Sequence, residues 1–229
     1  DPIREPYRPI PSGAISETEV YQQIFGLLFG SIFVAYQLDG WAANDWPVIT
    51  LVASIGTFMA YIYSAPPLKL KANGWQGTYA LGSSYIALPW WCGHAMFDAA
   101  SITGQEVVLT ILYSIAGLGI AIVNDFKSIE GDTALGMQSL PVAFGIDKAK
   151  WICVASIDVT QLAVAAYLYA IGETTFAAIL FGLVLPQMFS QISFLQDPVA
   201  NDVKYQAAAQ PFLVFGILTT ALAVGHHAF

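Results

Sequence analysis

The sequence predicts an all-α, polytopic transmembrane helix bundle with seven spans. Three observations predict it: the composition, a series of long apolar stretches, and the placement of the basic residues between them. Hydrophobic residues make up 56% of the 229, and charged residues only 10%. Mean hydropathy is +0.61, whereas an average soluble domain is roughly 25% charged. The formal net charge of -8 does not define a partner, because orientation in a bilayer follows Lys and Arg placement. The expected surroundings are a lipid bilayer, with no nucleic-acid partner.

The chain opens on DPIREPYRPIPSGAIS, where X-Pro steps keep the backbone extended and out of a helix. The first apolar stretch runs from Val20 to Leu38, the second from Pro47 to Tyr63 and the third from Trp75 to Phe97. The fourth covers Glu106 to Asn124, the fifth Trp151 to Ile171, the sixth Thr174 to Phe194 and the seventh Ala207 to His227. Each is near the roughly 20 residues that a helix needs to cross the hydrocarbon core. None alternates polar with apolar residues as a barrel strand would, so helices are the remaining way to satisfy every backbone group in lipid.

The eight basic residues all fall on one side of this topology. Arg4 and Arg8 precede the first stretch, and Lys69 and Lys71 lie between the second and third. Lys127, Lys148 and Lys150 follow the fourth, and Lys204 precedes the seventh. The opposite connections carry Asp39, Asp45, Asp98 and Glu173. The positive-inside rule therefore puts the basic connections on the cytoplasmic or stromal face. Cys92 and Cys153 then lie a membrane thickness apart, while a disulfide needs Cα atoms within about 7 Å. Both are expected to be free thiols.

The basic connections also carry the polar motifs. After the fourth stretch comes VNDFKSIEGDTALGMQSLPVAFG, which crowds Asn124, Asp125, Lys127, Ser128, Glu130 and Asp132 at the end of an apolar helix. In continued helical geometry, positions 124, 125, 128 and 132 share a face. Asp125 and Asp132 are then two turns apart, roughly 10 Å at 1.5 Å per residue, which suits two ions, or one ion and a second pole of an extended anion. Magnesium is usually held by one or two carboxylates together with phosphate oxygens and water, and a diphosphate brings such oxygens. Arg8, Lys69, Lys71 and Lys127 could neutralise the rest of its charge. The bland alternative is a solvated, helix-ending acidic loop.

A second polar connection, YSAPPLKLKANGWQG, runs from Tyr63 to Gly77, and RPIPSGAIS is a third. With NDFKSIEGD and the late DVKYQAAAQPFLVFG, these stretches resemble the chlorophyll synthase branch of the UbiA superfamily of membrane prenyltransferases. The resemblance runs from Asp1 to the last span. It implies a nine-helix bundle and two Asp-rich motifs facing each other on one membrane face. Asp1 matches the final acid of the first motif, so two helices and earlier Asn and Asp residues are expected upstream. Residues 1–229 are read as one prenyltransferase domain, incomplete at its start.

In the second motif Asp132 matches the superfamily's second aspartate, Ser128 stands at the place of the first, and Asp125 lies one turn earlier. Thr133 occupies a position where a basic residue is expected. The candidate catalytic residues are Asp125, Asp132 and Lys69, and the candidate metal ligands Asp1, Asp125 and Asp132. Arg8, Tyr63, Lys69, Lys71, Asn124, Lys127 and Ser128 are the candidate substrate-binding residues.

The resemblance implies Mg2+-dependent esterification of the chlorophyllide propionate by phytyl or geranylgeranyl diphosphate in a thylakoid membrane. Light-harvesting-like chlorophyll-binding proteins are the implied protein partners. The nucleophile is already a carboxylate, so no general base is required. His94, His226 and His227 map to the side away from the motifs. His94 is read as an interfacial residue beside Trp90 and Trp91, with ligation of a chlorin magnesium as the alternative. Asp158, an acid inside a span, must face a cavity or a partner. Gln187 and Gln191 of the next span are the expected partners, with a pigment contact as the alternative. A transporter and a non-catalytic pigment-binding scaffold are the competing functional classes.

Overall fold

The computed structural model describes residues 7, 9–97 and 102–227. Asp1, Arg4, Arg8 and Asp98 lie outside the described residues. All seven apolar stretches form helices: α1 (Glu17–Ala42), α2 (Val48–Ser64), α3 (Gly74–Phe97), α4 (Gly104–Asp125), α7 (Ile146–Ala170), α8 (Thr174–Gln196) and α9 (Pro198–His227). Two short helices, α5 (Ile129–Ala134) and α6 (Leu140–Phe144), lie between α4 and α7. Among the described residues there is no strand. Five helices are long and apolar enough to cross a membrane, namely α1, the run Gly104–Ala134 that begins with α4, α7, α8 and α9; α2 is a shorter apolar helix.

The chain divides into two compact units. The first comprises Asp1–Tyr61 and Trp91–Ile102. In it, Ser16 caps α1 through a reciprocal box with Glu19: the Ser16 hydroxyl accepts from the Glu19 amide, and the Glu19 carboxylate accepts from the Ser16 amide. Such a box satisfies two of the amides that a helix start leaves without partners. Helix α1 ends on Ala43 in the left-handed region, at φ 55°. The carboxylate of Asp39 accepts hydrogen bonds from Ile49 N at 2.9 Å, Thr50 N at 2.8 Å, Thr50 Oγ1 at 2.7 Å and Asn44 Nδ2 at 2.9 Å. Asn44 Nδ2 also donates to the Ala95 carbonyl. Asp39 thus closes the turn between α1 and α2 by satisfying amides at the start of α2. Ala35, Ile49 and Ala95 form the small apolar core of this unit.

The second unit comprises Ile62–Trp90 and Thr103–Phe229. Thr103 and Glu106 repeat the capping box at the start of α4. Helix α4 packs on α7 and α9, and α8 packs on α7 and α9. Leu109, Tyr113, Ile122, Phe126, Ile157, Leu168, Leu180, Phe194 and Tyr205 belong to its buried core. In lipid there is little hydrophobic force between helices, so small residues and interhelical hydrogen bonds hold them together. Gly119 is one such contact: a Cβ there would lie 2.5 Å from Ile157 Cγ1 and 2.7 Å from the Cys153 carbonyl oxygen. The Cys153 thiol donates to the Gly119 carbonyl at 3.1 Å, and both Cys92 and Cys153 are free thiols.

Polar groups inside the second unit find one another. The fully buried Tyr113 hydroxyl donates to the Gly216 carbonyl at 3.0 Å and lies 2.6 Å from Thr220 Oγ1. Asp158 Oδ1 accepts from Gln191 Nε2 at 2.8 Å and from Gln187 Nε2 at 3.3 Å. Gln187 Oε1 in turn accepts from Gln161 Nε2 at 3.0 Å. The partners expected for Asp158 are therefore those it has. His226 pairs with Glu173, with Nδ1 3.0 Å from Oε1.

Candidate functional site

Helix α4 runs out of apolar residues at Val123, and the chain tightens into a 3-10 turn over Phe126–Ser128 before α5 resumes the helix. Phe126 is the anchor of this corner. It is buried edge-on against Phe194, at a centroid distance of 5.4 Å, and Phe194 stacks on Tyr205 at 4.6 Å. With Phe126 turned into the core, Asp125, Ser128 and Asp132 are presented together to one cavity.

The opposite wall comes from the connection between α2 and α3. A 3-10 turn over Leu70–Ala72 leads to Asn73, which forms an isolated parallel bridge with Gln138. Gly74 N donates to the Gln138 carbonyl at 2.8 Å, and Gln138 N donates to the Ala72 carbonyl at 2.9 Å. A Cβ at Gly74 would lie 2.8 Å from both Gln138 O and Leu140 N, so glycine is what allows this approach. The segment 137–139 is also tied back to the acidic motif, because Met137 N donates to the Asp132 carbonyl at 2.9 Å.

The cavity so formed has a volume of about 130 Å3, and Tyr63, Lys71, Asn73, Gly74, Gly77, Thr78, Asp125, Ser128, Asp132, Met137 and Ser139 line it. Five of the residues singled out from the sequence meet there: Tyr63, Lys71, Asp125, Ser128 and Asp132. Lys69, Asn124 and Lys127 are not among the lining residues. Lys69 and Lys127 are exposed, and Lys69 has left-handed backbone at φ 39°. Asp1 and Arg8 lie outside the described residues. Asn73, Thr78, Met137 and Ser139 are additions that sequence reasoning missed. Nothing in a hydropathy pattern signals a non-local bridge such as Asn73 to Gln138.

Asp125 and Asp132 are near enough to repel each other. No described residue donates a hydrogen bond to either carboxylate. Two like charges held in a partly closed space, without donors among the described residues, are destabilising unless one takes up a proton or a cation joins them. Among the described residues no group of three or more His, Cys, Asp or Glu side chains is gathered for a metal. The donor set is therefore oxygen-rich and incomplete. That fits a hard divalent cation which takes one or two protein carboxylates and completes its shell with phosphate oxygens and water.

The sequence profile of the UbiA prenyltransferase family matches residues 1–215. This chain belongs to the UbiA prenyltransferase family. It is 63% identical to a chloroplastic chlorophyll synthase of Avena sativa over 227 residues, which are 99% of this chain and 60% of that protein. The corresponding protein of Arabidopsis thaliana is 62% identical, with 99% of this chain and 58% of that protein covered. The bacteriochlorophyll synthase 34 kDa chain of Chloroflexus aurantiacus is 36% identical, with 97% and 69% covered. The chain thus spans about 60% of the length of the plant relatives it matches. No solved structure matches it.

Proposed function

We propose that the protein is a membrane prenyltransferase that esterifies the propionate of chlorophyllide with phytyl or geranylgeranyl diphosphate. The observation that carries this reading is the cavity in which Asp125 and Asp132, whose carboxylates accept no hydrogen bond from the described residues, face the wall that bears Lys71. The likeness to the plant chlorophyll synthases supports the choice of substrates. The family profile over residues 1–215 supports reading residues 1–229 as a single prenyltransferase domain.

A propionate oxygen attacks C1 of the allylic diphosphate, the bond from C1 to the bridging oxygen breaks, and diphosphate leaves with the electron pair. A divalent cation, Mg2+ in this proposal, supplies neutralisation of the charge that builds on the leaving group. Asp125 and Asp132 would hold it, with Asp1 as a further ligand. Lys71 reaches the same cavity and stabilises the diphosphate by charge-assisted hydrogen bonds. Lys69, Lys127 and Arg8, basic residues of the neighbouring connections, would add positive charge to balance that of the diphosphate. Tyr63 and Ser128, which line the cavity, contribute polar contacts to the substrate. No proton needs to be removed from the carboxylate nucleophile, so the chemistry asks for charge stabilisation and alignment only. The placement of Lys and Arg favours the stromal face of a plastid membrane for the site. Light-harvesting-like proteins are the proposed neighbours there.

The test is to incubate the full-length protein in lipid with chlorophyllide, prenyl diphosphate and Mg2+, and to follow esterified pigment by chromatography. Ester should form, and removing the metal with a chelator should stop it. Pigment binding without ester formation would instead assign the protein to the scaffold class.

A further inference from the structure

We propose that Ser139 binds the diphosphate, its hydroxyl donating to a phosphate oxygen; this rests on the prenyltransferase reading above. Ser139 is only 6% exposed, lines the cavity with Asp125, Asp132 and Lys71, and its Oγ has no hydrogen-bond partner among the described residues. A serine just before a helix normally turns its oxygen onto the first amides of that helix. Ser139 precedes α6 and makes no such bond. A buried hydroxyl without a partner is costly, and unsatisfied polar groups in folded proteins call for an explanation such as an absent ligand.

The surrounding backbone holds that hydroxyl in place. Gln138 is bonded on both sides to the 72–74 segment, and Met137 N is bonded to the Asp132 carbonyl. Ser139 is therefore fixed between the acidic motif and the lysine-bearing connection. The carboxylates are suited to a cation and Lys71 to an anion. A hydroxyl beside them, next to the Gly74 backbone, meets the ligand that joins both poles, a metal-bound diphosphate. Its hydrogen bond goes to phosphate, because a phosphate oxygen is the strong acceptor that such a ligand brings.

The decisive experiment compares Ser139→Ala and Ser139→Cys with the unaltered full-length protein at saturating Mg2+. Inhibition by inorganic diphosphate and KM for the prenyl diphosphate are measured together. A hydrogen bond to a charged group corresponds to about a tenfold to hundredfold change in binding. Both constants should rise by a similar factor of about ten or more in Ser139→Ala, while KM for chlorophyllide and kcat change little, as expected for binding shared by ground and transition states. The thermal midpoint of the ligand-free variant should equal or exceed that of the unaltered protein, since a hydroxyl without a partner has been removed. Ser139→Cys, nearly isosteric with a weak donor, carries the test if the alanine variant does not fold.

Unchanged diphosphate inhibition and KM in the variants would overturn the proposal and leave the prenyltransferase reading intact. So would a shift in Mg2+ half-saturation at constant diphosphate affinity, which would make Ser139 a contact of the metal. If the unaltered protein neither binds diphosphate nor forms ester, the prenyltransferase reading falls, and this inference with it.

Discussion

Asp39 and the pair Asp125 and Asp132 are carboxylates near the ends of apolar helices, and their surroundings are opposite. Asp39 accepts four hydrogen bonds, two of them from backbone amides at the start of α2. The carboxylates of Asp125 and Asp132 accept none from described residues and line one cavity together. Each region is explicable by itself, one as a helix cap and turn clasp, the other as a pair of carboxylates to which the described residues offer no hydrogen-bond donor. A membrane protein keeps a carboxylate either because the fold supplies donors or because a ligand does. The hydrogen-bond census of each acid therefore separates structure from function more sharply than its position in the sequence.

The largest effect that could break this comparison is on activity. Asp132→Asn keeps the volume and removes the charge that the proposed cation needs. In the full-length protein it should lower kcat by about a hundredfold or more, the scale on which a single electrostatic contact to a leaving group acts. Thermal stability in detergent should not fall, because one of two repelling charges has gone. Turnover near normal would mean that the pair is not a metal site.

Asp39→Ala should do the reverse. It leaves two amides of α2 and the side chains of Thr50 and Asn44 without their acceptor, at a cost of about 1–2 kcal/mol on the scale of helix caps. The measurement is a lower thermal midpoint in detergent, accompanied by an unchanged Mg2+ half-saturation of the remaining activity. A shifted half-saturation would erase the distinction between the two kinds of acid.

Which parts of this were legible in advance follows from the physics of each signal. The seven helices were legible because lipid selects for apolar composition, and composition is local. Their ends were less so. Helix α9 begins at Pro198, nine residues ahead of the apolar stretch at Ala207, because Asn201, Asp202 and Lys204 lower the hydropathy of its first turns without breaking the helix. Asp39, read from the sequence as an acid in a connection, lies inside α1, and its role as a cap for α2 depends on a turn whose geometry no composition reveals. Asp125, Ser128 and Asp132 could be placed on one face by helical spacing, and they do share the cavity. Lys71 could be assigned to the same membrane side by charge placement. Ser139 and Asn73 could not, since the bridge that brings them there joins positions 65 residues apart in sequence.

Asp158 offers the finest test of the same rule, because it stands between the two cases. It accepts from Gln191 and Gln187, as Asp39 accepts from its own donors, but it sits inside α7, where an uncompensated charge is costly. If its purpose is to be an acceptor for those amides, an uncharged oxygen in the same place serves equally. Asp158→Asn should then change stability by no more than about 0.6 kcal/mol, the usual worth of an intramembrane side-chain hydrogen bond, and should leave the KM for both substrates unchanged. Asp158→Leu strands both amides in the interior and should cost more than the asparagine variant, with the same unaltered KM values. Thermal midpoints in detergent, read alongside steady-state kinetics, separate the two variants. A rise in the KM for chlorophyllide in Asp158→Asn, without loss of stability, would place the pigment against α7 and show that a carboxylate with protein donors can still serve a ligand.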